Sequence, residues 1–208
     1  MVEYLAGNRI RGTNAERPVT GGARSLRGSY NYGSSNIPAG SLVSVNLGDS
    51  GTKLYLAGNH TTNSQGIYQH TLTTAYTVST ASSSTASFAN PFYNDVRGMS
   101  WKPDGTTWIR GSDEGVGGGS NKRFIQFNPS TAWDISTSGS LADSFTVSSH
   151  QSGVKDVIWG NSGNQVTSLS DNDHLNTYDL STAYDISSAS NTSKDENLSS
   201  IDTTARSH

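Results

Sequence analysis

From about residue 40 onward, short runs of the chain alternate between apolar and polar residues with a period of two, as half-buried β-strands do. The runs "TKLYLAG" from Thr52, "TTWIRG" from Thr106, "GIYQHTL" from Gly66 and "RFIQFNP" from Arg123 are the clearest. Between them stand "SGTK", "PDGT" and "NSGN", whose Gly, Asn, Asp and Pro are turn formers. The pattern predicts strands joined by tight turns.

The same elements recur. "LTTAYTVSTAS" from Leu72 returns as "NPSTAWDISTS" from Asn128 and "DLSTAYDISSAS" from Asp179, with Ala75, Ala132 and Ala183 at equivalent places. Gly51, Gly105 and Gly163 repeat in step, and Leu47, Trp101 and Trp159 each lie four residues before their glycine. "SFAN" at Ser87 and "SFTV" at Ser144 close the first two units. The period is about 55 residues. Each unit reads as a four-stranded antiparallel meander, with units at about 40–92, 93–148 and 149–201, and "SLRGSYNY" near 26–33 as a displaced strand ahead of them. The fold class is all-β, a propeller-like array of about three repeats preceded by a short N-terminal arm.

The repeated Thr-Ala-aromatic phrase follows the third strand of its unit. Its rings, Tyr76, Trp133 and Tyr184, are expected in a thin repeat core together with Leu47, Trp101 and Trp159. Three units are fewer than a closed propeller ordinarily has, which leaves an open array or completion by other subunits.

Residues 1–25 do not share the repeat. They carry Arg9, Arg11, Arg17 and Arg24, and the apolar Tyr4, Leu5 and Ile10 suggest a short strand seeking a partner surface. The segment reads as an assembly arm made of Tyr4, Leu5, Arg9, Ile10, Arg11 and Arg17, with arginine suited to docking on acidic or carbonyl-rich surfaces.

Composition narrows the class. Only 32% of residues are hydrophobic and 22 are Gly, which excludes a thick helical core, while 9% aromatics and only 15% charged residues argue against wholesale disorder. A net charge of −3 gives no bulk attraction to nucleic acid or anionic membranes. With no cysteine there is neither a disulfide framework nor a thiolate zinc site, and no apolar stretch reads as a leader or as membrane-inserting.

Candidate chemistry is sparse. The five histidines are scattered without metal-ligand spacing, and no metal or other cofactor is expected. Asp171, Asp173 and His174 cluster in "SLSDNDHL", yet without the glycine and distal Glu of a calcium loop they read first as turn formers. Asp134 and Asp185, each after the repeated aromatic, are explained by local backbone capping. Catalysis by paired carboxylates has little support, and the chain is expected not to be an enzyme. A second reading is glycan binding, with Tyr93, Trp108, Asp113 and Asn121 as candidate contacts and Trp133 as a further ring. The lengthened loop "SDEGVGGGSNKR" is the candidate contact loop beside them.

"PDGTTWIRG" followed by "FIQFNPSTAWDISTSGSLADSFTVSS" resembles the repeat of β-propeller-like proteins of tailed phages, marine viruses and environmental microbes. The opening "MVEYLAGNRIRGTNAERP" is similar to the start of short proteins encoded by marine archaea and viruses. The resemblance spans about residues 28–200. It implies a structural module on a virion or cell surface, such as a head decoration, spike or tail-fibre component. The partners it implies are further copies of the chain or other virion proteins, and at most a surface glycan on the host side. The first unit departs from it with "GDSGT", and the third with "NSGNQVTSL" and "KDENLSSI" in place of an aromatic second strand and a regular closing strand.

Overall fold

A computed structural model describes residues 3–5, 9–11, 40–60, 66–82, 85–89, 96–112, 121–149, 151–190 and 194–198. Two short strands, β1 (Glu3–Leu5) and β2 (Arg9–Arg11), pair antiparallel with Tyr4 opposite Ile10. The arm's strands therefore find each other. Arg17 and the displaced strand expected near 26–33 lie outside the described residues.

Three four-stranded antiparallel sheets follow. Unit 1 holds β3 (Gly40–Gly48), β4 (Lys53–His60), β5 (Gly66–Thr71) and β6 (Ala86–Ala89). Unit 2 holds β7 (Arg97–Trp101), β8 (Trp108–Ser112), β9 (Arg123–Phe127) and β10 (Asp143–Thr146). Unit 3 holds β11 (Val154–Gly160), β12 (Gln165–Ser170), β13 (His174–Asp179) and β14 (Lys194–Asn197). Strand order within each sheet is sequential, so each unit is a meander, and the fold is an all-β, propeller-like array. The first strand of every unit carries a bulge, at Leu42/Ser44, Arg97/Met99 and Val154/Asp156, the one in unit 2 a residue nearer its hairpin than the other two. Such a bulge bends the strand and increases its twist.

The first strands lie side by side, β7 between β3 and β11, and the sheets stack face to face outward from them. Each unit thus has a leading face toward the unit before it and a trailing face toward the unit after it. Residues opposite one another in an antiparallel pair share a face. Unit 2 accordingly leads with the row Trp101, Trp108, Phe127 and trails with Ser100, Ile109, Gln126.

Two cores result. The leading row of unit 2 packs on Tyr55, Ala57, Ile67 and Phe88 of unit 1, with Phe88 edge-on to Trp108 and Phe127 at 5.5 and 4.9 Å between centroids. Val157, Val166 and Tyr178 of unit 3 pack on Ile109 and Phe124 of unit 2, with Phe124 and Tyr178 edge-on at 5.3 Å. Unit 2 lies between both neighbours, so every residue of β8 is buried and its alternation separates two covered faces. Among the second strands, β12 alone shows the full alternation of a half-buried strand, with Val166, Ser168 and Ser170 buried and Gln165, Thr167 and Leu169 less so.

Two of the six residues assigned to the repeat core are not in it. Leu47 is 40% exposed and Tyr76 is 68% exposed, whereas Trp101 is buried and Trp133, Trp159 and Tyr184 are partly buried. The cause is positional. Leu47 and Tyr76 occupy the leading side of unit 1, which no described unit precedes.

Candidate functional site

The repeated Thr-Ala-aromatic phrase forms the same device in all three units. Its aromatic adopts left-handed backbone angles, φ 60° at Tyr76, 63° at Trp133 and 60° at Tyr184, which non-glycine residues rarely take. The strain is offset locally. Each of these residues donates its amide hydrogen to the carbonyl of the hairpin glycine of its own unit, Tyr76 to Gly51 at 2.9 Å, Trp133 to Gly105 at 3.1 Å and Tyr184 to Gly163 at 2.9 Å. The ring then lies on that glycine. At Gly105, itself at φ 73°, an added Cβ would sit 2.5 Å from the Trp133 ring, so the position excludes a side chain on two grounds.

A single turn of 3-10 helix follows each ring, Val78–Thr80, Ile135–Thr137 and Ile186–Ser188. In units 2 and 3 it is capped by an aspartate. Asp134 accepts from the amide and hydroxyl of Ser136 at 3.0 and 2.6 Å, and Asp185 does the same with Ser187. This is the backbone capping expected of the two aspartates. In unit 1 the position is Thr77, and its side chain does not cap the turn.

These turns also join the units. Gln69 on β5 accepts a hydrogen bond from the amide of Ile135 at 3.0 Å through its Oε1 atom. Gln126 on β9 accepts from the amide of Ile186 at 2.9 Å in the same way. Both glutamine side chains and both isoleucines are buried. The latch therefore recurs at both junctions, each time from the third strand of one unit to the turn of the next. Around it the 1–2 junction adds Tyr55, whose hydroxyl donates to the Trp133 carbonyl at 2.7 Å, and Asn46, whose amide donates to the Met99 carbonyl at 3.1 Å. Burial first, then the nearby Asp49 and Asp134 carboxylates, push the Tyr55 hydroxyl far above its usual pKa, so it is held as a neutral donor. The 2–3 junction instead has the Trp159 amide donating to the Ser100 hydroxyl at 3.2 Å, and the Lys102 ammonium 5.4 Å from the centre of the Tyr184 ring.

The latch position in unit 3 is Thr177, which bonds the Thr167 hydroxyl at 3.1 Å within its own sheet. The trailing-face aromatics Phe88 and Phe145 are succeeded by Glu196, which is exposed. Sequence reading missed the glutamine latch. Its signal was present in "IYQH" and "FIQF", where a polar residue recurs at a strand position that the next unit covers.

Of the glycan candidates, Trp108 and Asn121 lie among the described residues. Trp108 is fully buried, its ring stacked on Phe127 at 4.4 Å and its indole nitrogen donating to Ser138 at 2.9 Å, so it is not a sugar platform. Short alternating runs conceal such burial because a strand covered on both faces looks like one covered on a single face. Trp133 is likewise committed to the 1–2 junction. Asn121 is exposed, while Tyr93, Asp113 and most of the glycine-rich loop lie outside the described residues. Asp173 takes φ 61° in the β12–β13 turn and pairs with Lys155 at 3.4 Å, and His174 meets Asp195 at 2.6 Å. Among the described residues no three His, Cys, Asp or Glu side chains converge as a metal site. No helix among them is long and apolar enough to cross a membrane.

No protein-family profile matches the chain, and no curated protein sequence matches it significantly. Solved structures similar to it in fold include the WD40 domain of Neurospora crassa Pan2, at 12% identity and a TM-score of 0.41, covering 68% of this chain and 33% of that one. Sqt1 of Chaetomium thermophilum matches at 18% identity and a TM-score of 0.46, covering 75% and 34%. The β-propeller domain of Myceliophteria thermophila Cps50 (Swd1) matches at 10% identity and a TM-score of 0.42, covering 77% and 40%. The chain therefore spans about a third of the length of these structures.

Proposed function

We propose that this protein is a structural assembly module of the virion type, a decoration, spike or tail-fibre component that displays a rigid β array and does not catalyse a reaction. The observation that carries the reading is where the repeated residues go. The recurring aromatic, glycine, aspartate and glutamine are consumed in holding turns to hairpins and units to one another, which is what a display scaffold requires of a repeat. The viral assignment rests on the resemblance of the repeat and the opening segment. The N-terminal hairpin, with Arg9 and Arg11 on β2, is the proposed attachment element to further copies or to other particle proteins. The particle surface is the proposed location, with a cell surface as the alternative. Nucleic acid and membrane insertion have no part in this reading. A glycan-binding role loses Trp108 as a contact and would rest on Tyr93, Asp113 and Asn121.

Light scattering on the full chain and on a chain lacking residues 1–25 tests this. A defined assembly that falls to a folded single chain on truncation supports it, and assembly unchanged by truncation overturns the role of the arm.

A further inference from the structure

The two ends of the array are chemically unlike, and the difference identifies an interaction surface. At the 1–2 junction, unit 1 makes three side-chain hydrogen bonds to backbone groups of unit 2: to the carbonyls of Met99 and Trp133 and from the amide of Ile135. The residues of unit 1 that correspond to these three are Val45, Tyr76 and Val78. Val45 is 54% and Tyr76 68% exposed, Val78 is partly exposed, and Leu47 beside them is the counterpart of the buried Trp101. Farther out on the same face Leu54, Leu56 and Leu72 are already covered. What stays open is therefore the strip that a preceding unit engages at the two formed junctions.

We infer that this leading edge of unit 1 is a docking surface for a β unit of the same repeat type that carries glutamine at the latch position and an aromatic on its closing strand. The argument is continuity with the two junctions already formed, which use the same strand, the same turn and the same acceptor. A second copy of this chain does not supply that unit. The trailing faces of its units 1 and 2 are covered by their neighbours, and that of unit 3 has Thr177 for the glutamine, Thr167 where Tyr55 and Ile109 stand, and Glu196 for the phenylalanine. Docking that face would bury a carboxylate without a partner and leave the Val78 amide unanswered. The partner is thus a different, glutamine-bearing unit.

The full-length chain can be made to carry its own probe. Thr177→Gln with Glu196→Phe gives unit 3 the latch glutamine and the closing-strand aromatic of unit 2, and light scattering over a concentration series compares it with the wild type. The expected result is a mass at least twice the wild-type value at the same concentration, returned to that value by adding Val45→Lys at the exposed edge. A folded double variant with wild-type mass overturns the inference, as does association that Val45→Lys leaves intact. Should the double variant precipitate, Thr177→Gln alone is the second variant, with a smaller rise that Val45→Lys again removes; no rise overturns the proposal. Wild-type assembly that Val45→Lys disperses would show that the second copy is the partner after all.

Discussion

Units 2 and 3 share a topology, a bulge, a glycine-capping aromatic and an aspartate-capped turn, yet one is covered on both faces and the other on one. The second strand of unit 2 is Trp-Ile-Arg-Gly-Ser and wholly buried, while that of unit 3 is Gln-Val-Thr-Ser-Leu-Ser and buried at alternate residues. The difference in burial arises on the trailing face. There Gln126 gives way to Thr177 and Phe145 to Glu196, and Ile158 is left 51% exposed. A repeat unit can thus lose the chemistry that joins it to a next unit without any change of fold, by replacing the few side chains that would reach into it. The glutamine latch marks which junctions are meant to form.

Removing the largest shared side chain should separate the units most. Trp108→Ala in unit 2 deletes a fully buried ring packed on Phe88, Trp101 and Phe127, and is expected to cost about 3–5 kcal/mol in urea denaturation. Its counterpart Val166→Ala in unit 3 should cost less, about 2 kcal/mol.

The latch comes next. Gln126→Leu strands the buried Ile186 amide and is expected to lower stability by about 1–3 kcal/mol, and Gln69→Leu should do the same through Ile135. Thr177→Leu, at the same place in unit 3, should fall well below both in the same assay.

Loss of the turn cap is smaller again. Asp134→Ala and Asp185→Ala should each cost about 1 kcal/mol, while Thr77→Asp in unit 1 should raise the melting temperature by supplying a cap that its turn lacks.

The leading row of unit 1 has its own signature. His70 stands where units 2 and 3 have Phe127 and Tyr178, and burial lowers its pKa below the ordinary 6.5, outweighing its bond to the Ser82 carbonyl. The unfolded chain therefore takes up the proton first. Stability should be full above pH 6.5 and fall as the pH drops from there through the folded pKa. A His70→Phe chain should lose that part of the slope in denaturation curves recorded between pH 7 and 5. The smallest effect belongs to the open face, where Ile158→Ser should change stability by less than about 0.5 kcal/mol.

Much of this architecture was legible in the chain. The period, the four-strand meander and the turn glycines follow from residue spacing, because strand alternation and turn chemistry are local. Burial was less legible. Trp108 looked like an available ring, and Tyr76 like a core ring equivalent to Trp133, since nothing local tells whether a face is covered by another unit. That information lies in pairs such as Gln69 with Ile135, 66 residues apart. The same limit kept the latch hidden, as a polar residue in a strand ordinarily reads as facing water.

The central claim is that the glutamine latch orders the units and is unanswered at the leading edge of unit 1. Amide hydrogen exchange at three equivalent positions tests it most directly. The account predicts slow exchange at Ile135 and Ile186, fast exchange at Val78, and selective loss of protection at Ile186 in Gln126→Leu. Protection at Val78 equal to that at Ile135, or an Ile186 amide indifferent to the loss of Gln126, would contradict it.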